Sequence, residues 1–125
     1  MKKLNFILDK TAKDIRGSVF FFKTDVKNLN LIETKKGYAR GGHYHEYDSN
    51  LILVSGLIQY IEKNIETNLE EIRNIEGPSI IHTPAKHAHL LIALEDSIFL
   101  ESYNLSYSAI DFPEYRDIVK QKMKK

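Results

Sequence analysis

Cysteine is absent from this chain of 125 residues, and proline occurs only three times. The lack of cysteine excludes disulfide bonds, thiolate nucleophiles and cysteine metal ligands together. It is also consistent with a reducing compartment, so we expect a cytoplasmic protein. Any metal site must therefore be built from histidine, carboxylate or amide side chains.

Long apolar runs are missing as well. Near the N-terminus, charged residues interrupt the sequence at Asp9, Lys10, Lys13 and Asp14. A secretory signal needs an unbroken apolar stretch of about 7–15 residues, and a membrane-spanning helix needs about 20. We therefore expect neither a secretion signal nor a membrane partner.

The chain also has no excess of charge of either sign. The 18 basic and 17 acidic residues leave a formal net charge of +1, so no overall field attracts nucleic acid or an anionic membrane. The length fits one domain over residues 1–125. With 42% hydrophobic residues, such a domain can bury one core and one pocket.

Short apolar runs separated by glycine, proline and polar turns predict a series of β-strands. A helical pattern between the strands, as a βαβ architecture requires, is missing. We therefore predict an all-β jelly roll or sandwich. The predicted strands cover residues 18–22, 30–33, 51–54, 57–61, 79–82, 87–93 and 97–100.

Two connections between the predicted strands have distinctive sequences. Ser55 and Gly56 separate the runs 51–54 and 57–61, and Gly favours the positive φ of a tight turn, so we predict a hairpin there. Residues 62–76 fit either a capped helix or a charged hairpin arm. We favour the arm, because predicted strands flank it on both sides.

The C-terminal segment has the pattern of a helix. Asp111 is a suitable N-cap, Pro113 stands in the first turn and Glu114 follows. We predict a helix over about 112–123 that packs on the barrel.

The five histidines carry the main functional signal. His43 and His45 are two residues apart, so on a strand both imidazoles face the same side, and His87 and His89 repeat this spacing. Two such pairs inside a barrel can chelate one metal ion. We expect His43, His45 and His89 to form the cluster, His87 to lie at the pocket mouth, and His82 to be structural.

Two motifs resemble those of the cupin family. Residues 40–45, Arg-Gly-Gly-His-Tyr-His, resemble the first motif, with Gly56 as its closing glycine, and residues 77–89 resemble the second. The resemblance implies a double-stranded β-helix, the cupin jelly-roll barrel, with its core at about 14–105. It also implies that His43, His45 and His89 bind a divalent transition metal such as zinc, iron, nickel or manganese. Metal cupins usually place a glutamate where Ser49 and Asn50 stand here, and Asn50 offers an alternative ligand.

Within the cupins, residues 14–17, the 40–45 motif and the tyrosine-rich C-terminal segment resemble nucleotide-sugar 3,4-ketoisomerases and 3,5-epimerases. This resemblance implies a metal-free mechanism in which His43 and His45 transfer protons on a keto-sugar. Arg40 would then face a phosphate. The candidate substrate-binding residues are Arg40, Tyr44, Asn50, Tyr60, His87 and Tyr103.

Three functions remain open at this level: a sugar isomerase or epimerase, a metal-bound cupin, and a sensor that binds a ligand without turnover. Each takes a small sugar-type or oxygen-rich ligand. The apolar runs at 51–54 and 90–94 further predict strands buried on both faces. An outer face of the barrel must then be covered, and we expect a homodimer through a shared sheet.

Overall fold

The structure is a computed structural model that describes residues 5, 7–25, 27–104 and 108–124. Over these residues the chain forms a succession of strands followed by one helix. In chain order they are β1 (Ile7–Asp14), β2 (Gly17–Lys23), β3 (Lys27–Thr34), β4 (Ala39–Tyr44), β5 (Ser49–Ser55), β6 (Leu57–Asn64), β7 (Glu70–Glu76), β8 (Ser79–Thr83), β9 (His87–Ala93), β10 (Ser97–Asn104), β11 (Ile110–Asp111) and α1 (Pro113–Lys122).

The strands form two antiparallel sheets that face each other. The six-stranded sheet has the order β1-β2-β3-β10-β5-β8, and the five-stranded sheet has the order β11-β4-β9-β6-β7. Chain neighbours such as β5 and β6 lie in different sheets, which is how a jelly roll closes two sheets around one interior. The predicted all-β jelly roll with a short C-terminal helix is confirmed.

The interior between the sheets holds an apolar cluster to which both sheets contribute. Its buried members come from β5, β6, β8, β9 and β10, and they are Leu53, Ile58, Tyr60, Ile81, Leu91 and Phe99. Three of its members, Tyr60, Leu91 and Phe99, also line the cavity described below.

The outer face of the five-stranded sheet is covered by α1. Tyr115 and Val119 of the helix pack on Ala39 of β4 and on Ala88 and Leu90 of β9. Val119 and Leu90 are fully buried. Burying such side chains contributes about 2 kcal/mol each, so the helix is an integral part of the domain.

The outer face of the six-stranded sheet is not covered by any described part of the chain. Ile52, Val54, Ile80 and Ile98 are 38%, 43%, 75% and 38% exposed. Ile52 and Ile80 are directly opposite each other on β5 and β8. We call these four residues the open face.

The two predicted connections, at residues 55–56 and 62–76, have different outcomes in this fold. The prediction of a hairpin at Ser55-Gly56 is wrong, because β5 and β6 do not pair with each other. Strand β5 pairs with β10 and β8, whereas β6 pairs with β9 and β7. The glycine carries the chain from one sheet to the other. The hairpin arm at 62–76 is confirmed, since β6 and β7 pair along their length.

The C-terminal helix is also confirmed, but its cap is not. The helix begins after Phe112, and Asp111 instead pairs with His43 in the β11–β4 ladder. The sheet therefore uses the backbone of Asp111 before the helix begins.

Strand β1 extends the six-stranded sheet ahead of residue 14. Among the described residues, no helix is long and apolar enough to span a bilayer.

Candidate metal centre and ligand cavity

A cavity of about 280 Å³ opens between the two sheets. This volume lies near the lower end of ligand pockets, so it suits a small ligand. Strands β4 and β9 and the residue directly after β4 contribute three histidines to its wall, and the six-stranded sheet contributes polar groups that include a carboxyl, amides and a phenol. Apolar side chains such as Phe21, Leu51 and Phe99 fill the spaces between these polar groups.

A β-bulge in β4 sets which side chains face the cavity. The β4–β9 register shifts between Gly41 and His43, so Gly42 is an extra residue in the ladder. Because of this extra residue, Arg40 and His43 both line the cavity although they are three positions apart. The bulge requires glycine: Gly41 and Gly42 have φ of 97° and 86°, and a Cβ on Gly41 would lie 2.7 Å from the carbonyl oxygen of His89.

His43, His45 and His89 form one cluster inside the barrel. Their nitrogen ligand atoms all lie within 4.8 Å of one another. The ring centroids are 5.0 Å apart for His43 and His45, and 4.7 Å for His43 and His89. A transition ion bound at about 2.1 Å needs its nitrogen ligands about 3 Å apart. Side-chain shifts of about an ångström would therefore close the cluster on one ion.

Hydrogen bonds orient two of these imidazoles. His45 Nδ1 donates to the carbonyl oxygen of Ser108 at 2.6 Å, and His89 Nδ1 faces the carbonyl oxygen of His87 at 3.4 Å. A protonated Nδ1 leaves Nε2 with its lone pair available to a metal ion or a proton. Tyr47 stacks on His45 at 4.9 Å and limits its rotation.

The environment keeps two of the three imidazoles, His43 and His89, neutral. Burial, followed by the neighbouring His45 and Arg116, lowers the pKa of His43 to about 4. Burial, followed by His43 and His45, lowers the pKa of His89 to about 3. Metal ions bind neutral imidazole, so both side chains are ready to bind an ion at neutral pH without losing a proton.

The opposite wall of the cavity carries a polar group of a different kind. Asn30 of β3 donates from Nδ2 to Glu101 Oε1 at 2.8 Å and to the Tyr103 hydroxyl at 3.1 Å. All three side chains line the cavity. Burial raises the pKa of Glu101, and the hydrogen bond from Asn30 partly opposes this effect.

Arg40 stands at one side of the same cavity. Its guanidinium donates to Thr34 Oγ1 at 3.1 Å and to the carbonyl oxygen of Glu33 at 2.8 Å. Burial, followed by the nearby Arg16, lowers the pKa of Arg40 to about 10. The guanidinium therefore keeps its charge at neutral pH and provides a fixed cation beside the ligand space.

Most of the residues expected from the sequence line the cavity. Tyr60 does so, and its hydroxyl donates to Glu62 Oε1 at 2.8 Å and lies 2.7 Å from Thr83 Oγ1. Asn50 reaches the cavity mouth, but its side-chain oxygen is 3.0 Å from His82 Nδ1 on the exposed side. Asn50 therefore does not join the histidine cluster, because it alternates with the inward-facing Leu51.

Two expected residues lie outside the cavity lining. Tyr44 packs against the apolar cluster between α1 and the five-stranded sheet. Strand alternation turns its side chain to the face opposite that of His43 and His45. His87 does not reach the cavity mouth, since its Nδ1 is 2.9 Å from Glu62 Oε2. The carboxylate holds this imidazole against β6.

Several polar residues of the cavity are not predicted from the sequence, among them Asn30, Thr83 and Glu101. Asn30 and Thr83 belong to segments that the sequence predicts only as short strands or turns. Glu101 directly follows the predicted strand at residues 97–100. The available signal was its spacing of two from Phe99 and from Tyr103, which places all three on one strand face.

Comparisons with known proteins agree with this architecture. No protein-family model matches the chain, and no curated protein matches it. Among solved structures, an oxalate decarboxylase from Lactobacillus farciminis in a formate complex is similar, with a TM-score of 0.71 and 21% identity over 87% of this chain and 35% of that chain. CapF from Staphylococcus aureus, a capsular polysaccharide assembling protein, is similar with a TM-score of 0.61 and 17% identity over 82% of this chain and 31% of that chain.

A Bacillus subtilis oxalate decarboxylase with Mn(II) centres is also similar, with a TM-score of 0.72 and 14% identity over 86% of this chain and 31% of that chain. These proteins are cupins, and at such low identities the likeness shows the fold: this chain has the same jelly-roll architecture. The chain spans about a third of the length of each of these solved chains.

Proposed function

We propose that this protein is a metal-binding cupin whose three-histidine site acts on a small oxygen-rich ligand. The observation that carries the proposal is the convergence of His43, His45 and His89, with every pair of ligand atoms within 4.8 Å. Among the described residues, no carboxylate belongs to this cluster. Three converging imidazoles, of which His43 and His89 are held neutral, are a donor set that suits a transition-metal ion.

The chain's own groups define what such a ligand must look like. A bound ion would act as a Lewis acid on an oxygen of the ligand. Arg40 offers a fixed positive charge that suits a carboxylate or phosphate group. Glu101 and Tyr103 offer hydrogen bonds to hydroxyl groups, and the apolar lining excludes bulk water, which strengthens these polar contacts.

Metal content of protein purified without an affinity tag or chelator tests the proposal. We expect about one equivalent of a transition metal in the wild type and less than a tenth of that in His43→Ala. His82→Ala is the matched control, because His82 is exposed and bonded to Asn50 rather than to the cluster. Full metal occupancy in folded His43→Ala, or none in the wild type after incubation with Mn²⁺, Fe²⁺, Ni²⁺ or Zn²⁺, would refute it.

The metal-free sugar isomerase remains the second candidate. Its specific support is the hydrogen bond from His45 Nδ1 to Ser108, which leaves Nε2 as a proton acceptor facing the cavity. The fold of CapF, a capsular polysaccharide assembling protein, adds support for a carbohydrate ligand. Turnover of keto-sugar nucleotides by chelator-treated protein, abolished in His45→Asn, would favour this candidate over the metal-bound one.

We also propose that the open face binds a second copy of the chain. Ile52, Val54, Ile80 and Ile98 form an apolar surface on adjacent strands, and such surfaces typically mark an interface. The same surface on both copies would make a two-fold symmetric homodimer.

A further inference from the structure

The cavity has two polar walls, and only one of them is used by the histidine cluster. The second wall belongs to the six-stranded sheet, where Phe99, Glu101 and Tyr103 alternate along β10 and face inward. Asn30 reaches them from β3, because β3 and β10 pair with Asn30 opposite Glu101. The Glu101 carboxyl is therefore fixed in position on the side facing the five-stranded sheet.

A carboxyl group in this position is unusual for a purely structural residue. Among the described residues, its one hydrogen-bond donor is Asn30, which contacts Oε1 alone. No ion pair joins Glu101 to any described basic side chain, although Arg40 and His45 are close enough to influence it electrostatically. Glu101 lines the cavity, and every fully buried side-chain polar atom of the described residues has a partner, so the unbonded Oε2 is at least partly accessible.

We propose that Glu101 is a specificity-determining residue that hydrogen-bonds a hydroxyl group of the ligand, opposite the end held at the histidines. The inference deepens the proposed function and rests on it for the position of the other end of the ligand. It assigns the ligand to the small polyhydroxylated acids, with an acidic end toward the cluster and Arg40 and a hydroxyl toward Glu101. The cavity volume of about 280 Å³ fits a molecule of this size.

Asn30 and Tyr103 act as positioning residues in this arrangement. The Asn30 amide joins the Glu101 carboxyl to the Tyr103 hydroxyl, with distances of 2.8 Å and 3.1 Å. Because β3 and β10 are neighbouring strands in one sheet, the group is held by backbone pairing and not by a loop. A carboxyl fixed in this way loses little side-chain freedom when a ligand binds.

The test compares two probes that differ in one group. Lactate and glycerate share an α-hydroxycarboxylate, and glycerate adds one terminal hydroxyl. We expect calorimetric titration of the metal-loaded protein to show about tenfold or greater preference for glycerate, because its terminal hydroxyl can hydrogen-bond the Glu101 carboxyl, whereas lactate has no group for that position. Glu101→Gln keeps an acceptor for Asn30 but replaces the second carboxyl oxygen with an amide nitrogen, so we expect the preference to fall at least threefold.

Glu101→Met removes the hydrogen bond and should abolish the preference, while exposed Glu95→Gln should retain it. Metal content and the far-ultraviolet circular dichroism spectrum are recorded for every variant, which separates loss of recognition from loss of the metal site or of the fold. The same titrations on chelator-treated protein decide the role of Glu101 even if no metal binds. The inference would be overturned if the wild type bound lactate and glycerate equally well or bound neither. It would also be overturned if Glu101→Gln kept the full preference for glycerate.

Discussion

The two sheets of this barrel are built from similar apolar strands, yet their outer faces differ in what covers them. Their inner faces differ in the polar groups that they present to the cavity. On the outside, α1 covers the five-stranded sheet, whereas the open face of the six-stranded sheet is in contact with solvent. On the inside, the five-stranded sheet presents three imidazoles and the six-stranded sheet presents Glu101, Asn30 and Tyr103. A single cavity therefore combines a nitrogen donor set with an oxygen-rich wall.

The comparison also shows how one pattern leads to two outcomes. In β9, Leu90 packs under the helix and Leu91 packs inside the barrel, so both faces are buried as the sequence predicts. In β5, Leu53 is fully buried, but Ile52 and Val54 are 38% and 43% exposed. An apolar run thus predicts the buried inner face of a strand correctly, but it does not decide whether the chain itself covers the outer face.

The largest expected effect comes from a matched pair of substitutions on the two outer faces. Val119→Asp places a carboxylate in the fully buried contact between α1 and the sheet, and we expect a loss of about 4 kcal/mol in the free energy of unfolding. Val54→Asp on the open face should change it by less than about 0.5 kcal/mol. Urea denaturation at low protein concentration, where monomer predominates, measures both. Equal losses would show that the two faces do not differ.

The next effect concerns pH and the inner face of the five-stranded sheet. The pKa values of His43 and His89, about 4 and about 3, lie below 6.5 for an unfolded chain. As pH falls from 7 to 5, the unfolded state therefore binds protons that the folded state does not, and stability decreases. We expect the metal-free protein to lose about 4 kcal/mol from these two groups.

Urea denaturation at pH 7, 6 and 5 in the presence of a chelator measures this dependence. His89→Asn removes one of the two groups, so its stability should change about half as much over the same range. His82→Asn is the control, because His82 is exposed and lies outside the cavity. A wild-type profile as flat as that of His89→Asn would contradict the prediction.

A smaller effect is expected at the open face. Ile80 is 75% exposed, so Ile80→Lys leaves the folded monomer almost unchanged. In the proposed homodimer it would place two like charges near each other, and we expect at least a tenfold weaker association. Sedimentation velocity over a range of concentrations measures it, with Leu69→Lys, also exposed but on the β6–β7 connection, as the control. A monomeric wild type would refute the dimer.

The smallest effect is expected at the oxygen-rich wall. Tyr103→Phe removes a hydroxyl that accepts a hydrogen bond from Asn30, and we expect a loss of about 1 kcal/mol in the free energy of unfolding. Phe20→Leu, on the exposed side of the same sheet, is the control for a change in aromatic packing. A loss equal to that of Val119→Asp would mean that the wall is part of the structural core and not mainly a ligand surface.

The histidine cluster could be predicted because its signal is local. Strand periodicity puts His43 and His45 on one face, and the resemblance to cupin motifs relates them to His89. Periodicity also explains why Tyr44 lies elsewhere, since it stands between two inward-facing residues. Glu101 was missed because a single acidic residue beside an apolar run looks the same whether it faces a cavity or solvent.

The sequence by itself determined most of the strands, the C-terminal helix, the all-β class and the two histidine pairs, because these depend on residue spacing and on turn-forming glycine and proline. Only the tertiary structure decided that Ser55-Gly56 connects two sheets, that Gly42 is an extra residue in the β4 ladder, and that Asn30 meets Glu101. Each of these depends on pairing between strands far apart in the chain. Such pairing is fixed by the packing of the whole barrel, and the local residues do not specify the partner strand or its register.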